Sequence, residues 1–171
     1  VLTAEKMQEH FRNMQRLHLC HAYGILFCVD SAQSAGVFDI DVGTNQYDFV
    51  CMSGHKSLYG PMGTGVLILN NRNLKPLLYG GRGTESVKKS QPEGLPEKFE
   101  SGTQNMNGIS GLKAGVDFVK NRGIKNIYNH EYKLAKRLFN GLANNRKVIT
   151  YNKSFDYGKV APVVSFNIDG V

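Results

Sequence analysis

CMSGHKSLYGPMGTGVLIL, residues 51–69, sets one lysine, Lys56, between an apolar run and a cluster of glycines. A plain turn needs no charged side chain there, nor the Ser53 and His55 beside it. The flanking segments DFVCMS (48–53) and GVLILN (65–70) read as buried strands, and the short glycine-rich link favours an antiparallel return between them. The glycines of GPMGTG do not make a Walker loop, because no Gly-Lys-Ser/Thr closes it. Nor do they make a dinucleotide fingerprint, because they precede a strand instead of opening a helix. A hairpin with a surface lysine is the plain alternative, so the company that Lys56 keeps decides the matter.

That company lies upstream. ILFCVD (25–30) reads as another buried strand, and the 17 residues before DFVCMS suffice for a crossover, so these two strands can run parallel. Asp30 and Ser53 then emerge on one carboxyl edge, where open α/β sheets bind ligands, and Lys56 follows three residues later. VDSAQSAG (29–36) adds an amide, Gln33, to the carboxylate, while SGHK (53–56) supplies a hydroxyl, an imidazole and an amine. Such a set can hold one flat, phosphorylated, cationic ring. Taken singly, each residue has a plainer use: Asp30 as a helix cap, Gln33 at the surface, His55 in a turn, Thr103 as the cap of a helix near Asn107.

Elsewhere, Met7, Phe11, Met14 and Leu17 recur at helical spacing and predict an amphipathic helix from Thr3 to Tyr23, ended by Gly24. Residues 71–103, rich in Gly and Pro, predict a long surface excursion. Helices are expected over Asn107–Asn121 and Lys125–Asn144, separated by Gly123, and strands over 147–151 and 162–168. A composition shift near Asn145 predicts two units, residues 1–145 and a smaller one over 146–171. The last strand is expected to have nothing to pair against, so the chain reads as cut short.

With 41% hydrophobic and 20% charged residues, the chain is a globular protein and not a disordered one. Cys20, Cys28 and Cys51 are odd in number and lie in apolar surroundings, which predicts small core residues of a reducing compartment. His18, Cys20 and His21 lack metal-ligand spacing, so no metal is expected. The net charge of +7 is spread along the chain without an aromatic-interleaved stripe, so no nucleic-acid partner is expected. No run of eighteen apolar residues exists and VLTAEKMQEH lacks a signal-peptide core, so the expectation is a cytoplasmic protein with no membrane partner.

VDSAQSAG, SGHKSLYGPMGTGVLIL and FESGTQNMNGISGL resemble, in order, segments of the class V, fold type I, pyridoxal-phosphate enzymes, particularly the cysteine desulfurase and selenocysteine lyase branch. The resemblance runs from about Leu17 to Val171. It implies an α/β fold: part of the large domain, a mixed and mostly parallel sheet with helices, plus the start of a small C-terminal α+β domain. It also implies pyridoxal 5'-phosphate as cofactor, an amino-acid substrate, cysteine in the desulfurase branch, and a homodimer. By resemblance Lys56 is the catalytic lysine that binds the cofactor covalently, Asp30 partners its pyridine nitrogen, and Gln33 its phenolic oxygen. Ser53 and His55 bind its phosphate, together with Thr103 from the other subunit. The family's ring-stacking residue, a second phosphate loop, the substrate arginine and the sulfur-accepting cysteine have no match here. The resemblance therefore implies an internal fragment that alone holds no cofactor and is inactive, with another class V aminotransferase or lyase activity, or a non-catalytic dimerisation remnant, as the alternatives.

Overall fold

A computed structural model describes residues 15–70, 74–81, 88 and 90–170. Met7, Phe11 and Met14, three of the four apolar positions of the expected first helix, lie outside the described residues. Residues 15–22 are helical (α1), with Leu17 buried. Gly24 ends the helix as expected: at φ 67° it donates its N–H to the His21 carbonyl.

The strand after α1 is shorter than ILFCVD suggests. Only Cys28–Asp30 (β1) pairs, because the preceding backbone groups are used elsewhere. The Ile25 N–H donates to the Cys20 carbonyl at 2.8 Å, and the Phe27 N–H to the Asp48 carboxylate at 2.7 Å. The same carboxylate meets His21 Nε2 at 2.8 Å, tying α1 to the entry of the next strand. Burial pushes the Asp48 carboxyl up, but the Phe27 N–H and the His21 ring together outweigh it and hold it below its ordinary value.

A short helix, Val42–Asn45 (α2), interrupts the crossover, capped by Asp41, whose carboxylate accepts from the Gly43 and Thr44 N–H groups. Phe49–Ser53 (β2) then runs parallel to β1 with Asp30 opposite Cys51, and Gly65–Leu69 (β3) returns antiparallel with Ser53 opposite Gly65. The sheet order is β1-β2-β3, so the sheet is mixed as expected, with one pair of each kind.

Of residues 74–105, only Glu97–Phe99 forms a turn of 3-10 helix among the described positions. Met106–Arg122 (α3) follows, and Gly123, at φ 82°, separates it from Ile124–Ala143 (α4). The N-cap of α3 is Asn105, whose side chain accepts from the Gly108 N–H, so the plain use of Thr103 as that cap does not hold.

Strand alternation assigns the two sheet faces. Met52 and Val66, with Val116 of α3, pack against a core of Ala35, Leu58 and Leu112. The opposite face carries Cys28, Asp30, Phe49, Cys51, Leu67 and Leu69, and among the described residues no core cluster forms on it, with Leu67 53% exposed. This corrects the expectation for the cysteines: Cys28 is exposed, and Cys20 and Cys51 are only half-buried.

Val148–Thr150 (β4) pairs antiparallel with Phe166–Ile168 (β5), which corrects the expectation that the last strand finds no partner. The strand is shorter than 162–168 because Asn152 takes its approach: the side chain donates to the Val163 carbonyl and accepts from the Ser165 N–H. A second core joins Val37, Tyr128, Tyr132, Ala135 and Phe155, with Phe38, Phe139, Val160 and Val164 packed on it. Among the described residues no helix is long and apolar enough to cross a membrane, and no cluster of three potential metal ligands forms.

Candidate active site

The parallel register places the carboxyl ends of β1 and β2 side by side, as the crossover length predicts. Asp30 closes β1, exposed, with one carboxylate oxygen accepting from the Ala32 N–H at 2.9 Å. That bond makes a turn, not a helix cap, because residues 32–37 are turns and an isolated bridge. Gln33 sits exposed in this turn. Ser53 closes β2, its Oγ 3.2 Å from His55 Nδ1, and Lys56 follows, half-buried. The amine of Lys56 and the amide of Gln33 make no hydrogen bond or ion pair among the described residues.

The loop carrying Lys56 is held by its backbone. The Gly54 N–H donates to the Thr64 carbonyl at 3.0 Å, the Gly60 N–H to the Gly54 carbonyl at 2.7 Å, and the Tyr59 N–H to the Lys56 carbonyl at 2.9 Å. Leu58 is the buried anchor, set against Ala35 and Leu112. Glycines let neighbouring backbones come close. A Cβ at Gly36, where φ is 84°, would collide with the Ser57 carbonyl oxygen, and one at Gly115 of α3 with the Leu58 carbonyl oxygen. The loop after Asp30 and the loop after Ser53 are therefore in direct main-chain contact, and α3 is notched to receive the second.

Sequence reasoning missed this notch. Gly108, Gly111 and Gly115 lie at intervals of three and four on α3 and face Thr64, Pro61 and the Leu58–Tyr59 backbone. The spacing itself was the available signal, since three glycines at helical intervals give a helix one flat side. Tyr59 was missed as well. It takes φ 55°, rests edge-on against Phe118 with centroids 5.0 Å apart, and donates its hydroxyl to Glu131 at 3.4 Å. Burial, then the Glu131 charge and this bond, push its phenol up. Ser31, next to Asp30, is fully buried, and its Oγ has no partner among the described residues.

Thr103 is exposed in the segment entering α3, and its hydroxyl bonds to none of these groups. Five of the six expected residues thus lie on the adjoining ends and turns of β1 and β2, while Thr103 belongs to a different segment.

A family model described as Aminotransferase class-V matches residues 10–171. A probable cysteine desulfurase of Pyrococcus abyssi is 40% identical over 153 residues, covering 85% of this chain and 37% of that protein. A cysteine desulfurase of Haloferax volcanii is 36% identical over 160 residues, covering 90% and 36%. Among solved structures, the apo cysteine desulfurase of Thermococcus onnurineus NA1 superposes with a TM-score of 0.71 at 38% identity, covering 86% of this chain and 38% of that one. The Escherichia coli cysteine desulfurase CsdA gives 0.77 at 28% identity, covering 92% and 39%. The chain therefore spans less than two fifths of the length of these relatives. With its matched segment running through both strand ends, the lysine loop and α3, this α/β chain belongs to the class-V aminotransferase family.

Proposed function

We propose that the β1–β2 edge is the lysine-bearing part of a pyridoxal-phosphate site, and that the protein to which these residues belong is a cysteine desulfurase acting on free cysteine. The donor set fits that cofactor. A carboxylate with an oxygen to spare, an amine and an amide unpaired among the described residues, and a Ser–His pair share one edge, suiting a ligand with a cationic nitrogen and an anionic phosphate. Bound there, the cofactor supplies an electron sink for negative charge at the substrate α-carbon.

The residues have distinct tasks. Lys56 holds the cofactor through Nζ and, when released by substrate, takes the α-proton at the same atom. Asp30 keeps the ring nitrogen protonated, and Gln33 orients the ring through its phenolic oxygen. Ser53 and His55 bind phosphate, and Thr103 contributes to the phosphate site of a second copy. The exposure of Met62 (84%) and Met106 (64%) supports a homodimer built this way, for which we propose a cytoplasmic location. The separate β4–β5 sheet supports a small unit beginning at residue 146.

The observation that carries the reading is the pairing of Asp30 opposite Cys51, which sets the acid beside the strand that leads into the lysine turn. The test is incubation of the protein to which these residues belong with pyridoxal phosphate, followed by borohydride reduction and peptide mapping. The label is expected on Lys56, to vanish in Lys56→Ala, and to remain in Asp30→Ala. Label spread evenly over the surface lysines would overturn the assignment.

A further inference from the structure

Next to the cofactor edge, one face of the sheet brings two thiols together. Cys28 faces Phe49 and Cys51 faces Asp30, so the two cysteines are diagonal neighbours on one face of a parallel pair. Their sulfurs are 4.0 Å apart, with Cys28 exposed and Cys51 half-buried. We propose that Cys28 and Cys51 form a dithiol site that one soft, two-coordinate cation of the copper(I) class bridges across β1 and β2.

Three magnitudes favour a cation over the alternatives. Metal–thiolate bonds of roughly 2.3 Å put two sulfurs about 4.6 Å apart around one ion in a linear arrangement, so the observed 4.0 Å needs a parting of only about 0.6 Å. A disulfide needs the sulfurs about 2 Å closer and Cα atoms within about 7 Å, whereas a strand spacing of about 4.8 Å and a two-residue offset of about 6.6 Å put diagonal Cα atoms about 8 Å apart. Zinc needs four ligands, and among the described residues no cluster of three potential ligands exists. Soft thiolates with low coordination number select copper(I). Binding breaks two S–H bonds, forms two S–Cu bonds and releases two protons to solvent, with no change of oxidation state.

Anaerobic titration of the chain with copper(I) against a chromogenic copper(I) chelator, followed by native mass spectrometry, tests the site without any cofactor. One ion per chain is expected. Affinity should fall in both Cys28→Ser and Cys51→Ser by more than the roughly 100-fold that loss of an outer-shell partner costs. Cys20→Ser should keep wild-type affinity, and circular dichroism on the same samples establishes that each variant is folded. The proposal is overturned if the folded wild type retains no copper, if either Cys28→Ser or Cys51→Ser binds as the wild type does, or if the loss follows Cys20. Ready formation of a Cys28–Cys51 disulfide under a mild oxidant would overturn it as well, in favour of a redox pair.

Discussion

Two irregular segments lie against the two long helices, and they are fastened in different ways. Residues 53–64 lie on α3 through main-chain contact: glycines remove the side chains that would intervene, and three backbone hydrogen bonds close the loop on itself. Residues 151–164 lie on α4 through that helix's side chains, which bond to the segment's main chain, and through the Phe155 ring. Tyr132 donates its hydroxyl to the Phe155 carbonyl at 2.9 Å, and Tyr128 accepts from the Gly158 N–H and donates to the Val160 carbonyl. Phe155 stacks between Tyr132 and Phe139. The difference has a functional meaning. Residues 151–164 are held by α4 tyrosine hydroxyls on their main chain and by the Phe155 ring, whereas residues 53–64 are held by main-chain contact and by Leu58 and Tyr59, which leaves Ser53, His55 and Lys56 to meet a ligand.

The contrast is most exposed at Gly115. Gly115→Ala gains about 1 kcal/mol of helix propensity but forces a methyl group onto the Leu58 and Tyr59 backbone. A net loss of about 2–3 kcal/mol is expected in denaturant titration. Gly141→Ala, where a Cβ meets nothing within 4 Å, should instead stabilise by up to about 1 kcal/mol. Equal effects at the two sites would break the comparison.

Tyr132→Phe strips the other segment of a buried bond and leaves the Phe155 carbonyl unpaired, for an expected loss of about 1–2 kcal/mol. Labelling of Lys56 should be unchanged in that variant. A comparable loss, about 1–2 kcal/mol at neutral pH, is expected for Asp48→Ala, which frees the Phe27 N–H and His21. Because the folded-state carboxyl of Asp48 is held below its ordinary value, its contribution is present above the ordinary carboxylate range. It is lost as pH falls through the lowered value, so the gap between wild type and variant should close in acid melts.

Ser31→Ala removes a buried hydroxyl without a partner and should stabilise by about 1 kcal/mol. A loss there would mean that the hydroxyl has a partner, such as a buried water. The smallest effect belongs to Lys56→Ala, expected within about 0.5 kcal/mol of wild type in stability although it abolishes cofactor labelling. A large stability loss would show that the lysine also fastens its loop.

Much of this architecture was legible in the sequence where one rule acted alone. Apolar runs marked β2 and β3, periodicity marked α3 and α4 to within a residue or two, and crossover length gave the parallel pair and so the shared edge of Asp30 and Ser53. What escaped depended on distant partners. Ile25 and Leu26 look like strand residues, but the Cys20 carbonyl and the Asp48 carboxylate claim the backbone on either side of Leu26. The exposure of Cys28 depends on which sheet face α3 covers, and the pairing of β5 on a return shaped by Asn152. Glycines on α3 read as weak helix formers until the loop that fills them is in view.

The contact between Gly36 and the Ser57 carbonyl bears on how the edge fluctuates. Two loops that touch main chain to main chain cannot drift independently, so their thermal displacements are shared. The separation between the acid-bearing turn and the amine-bearing turn then varies less than the position of either one in the molecule. Paired spin labels across the two turns should report a narrow distance distribution in the wild type, and one that broadens when the Gly36→Ala methyl group pries the two backbones apart.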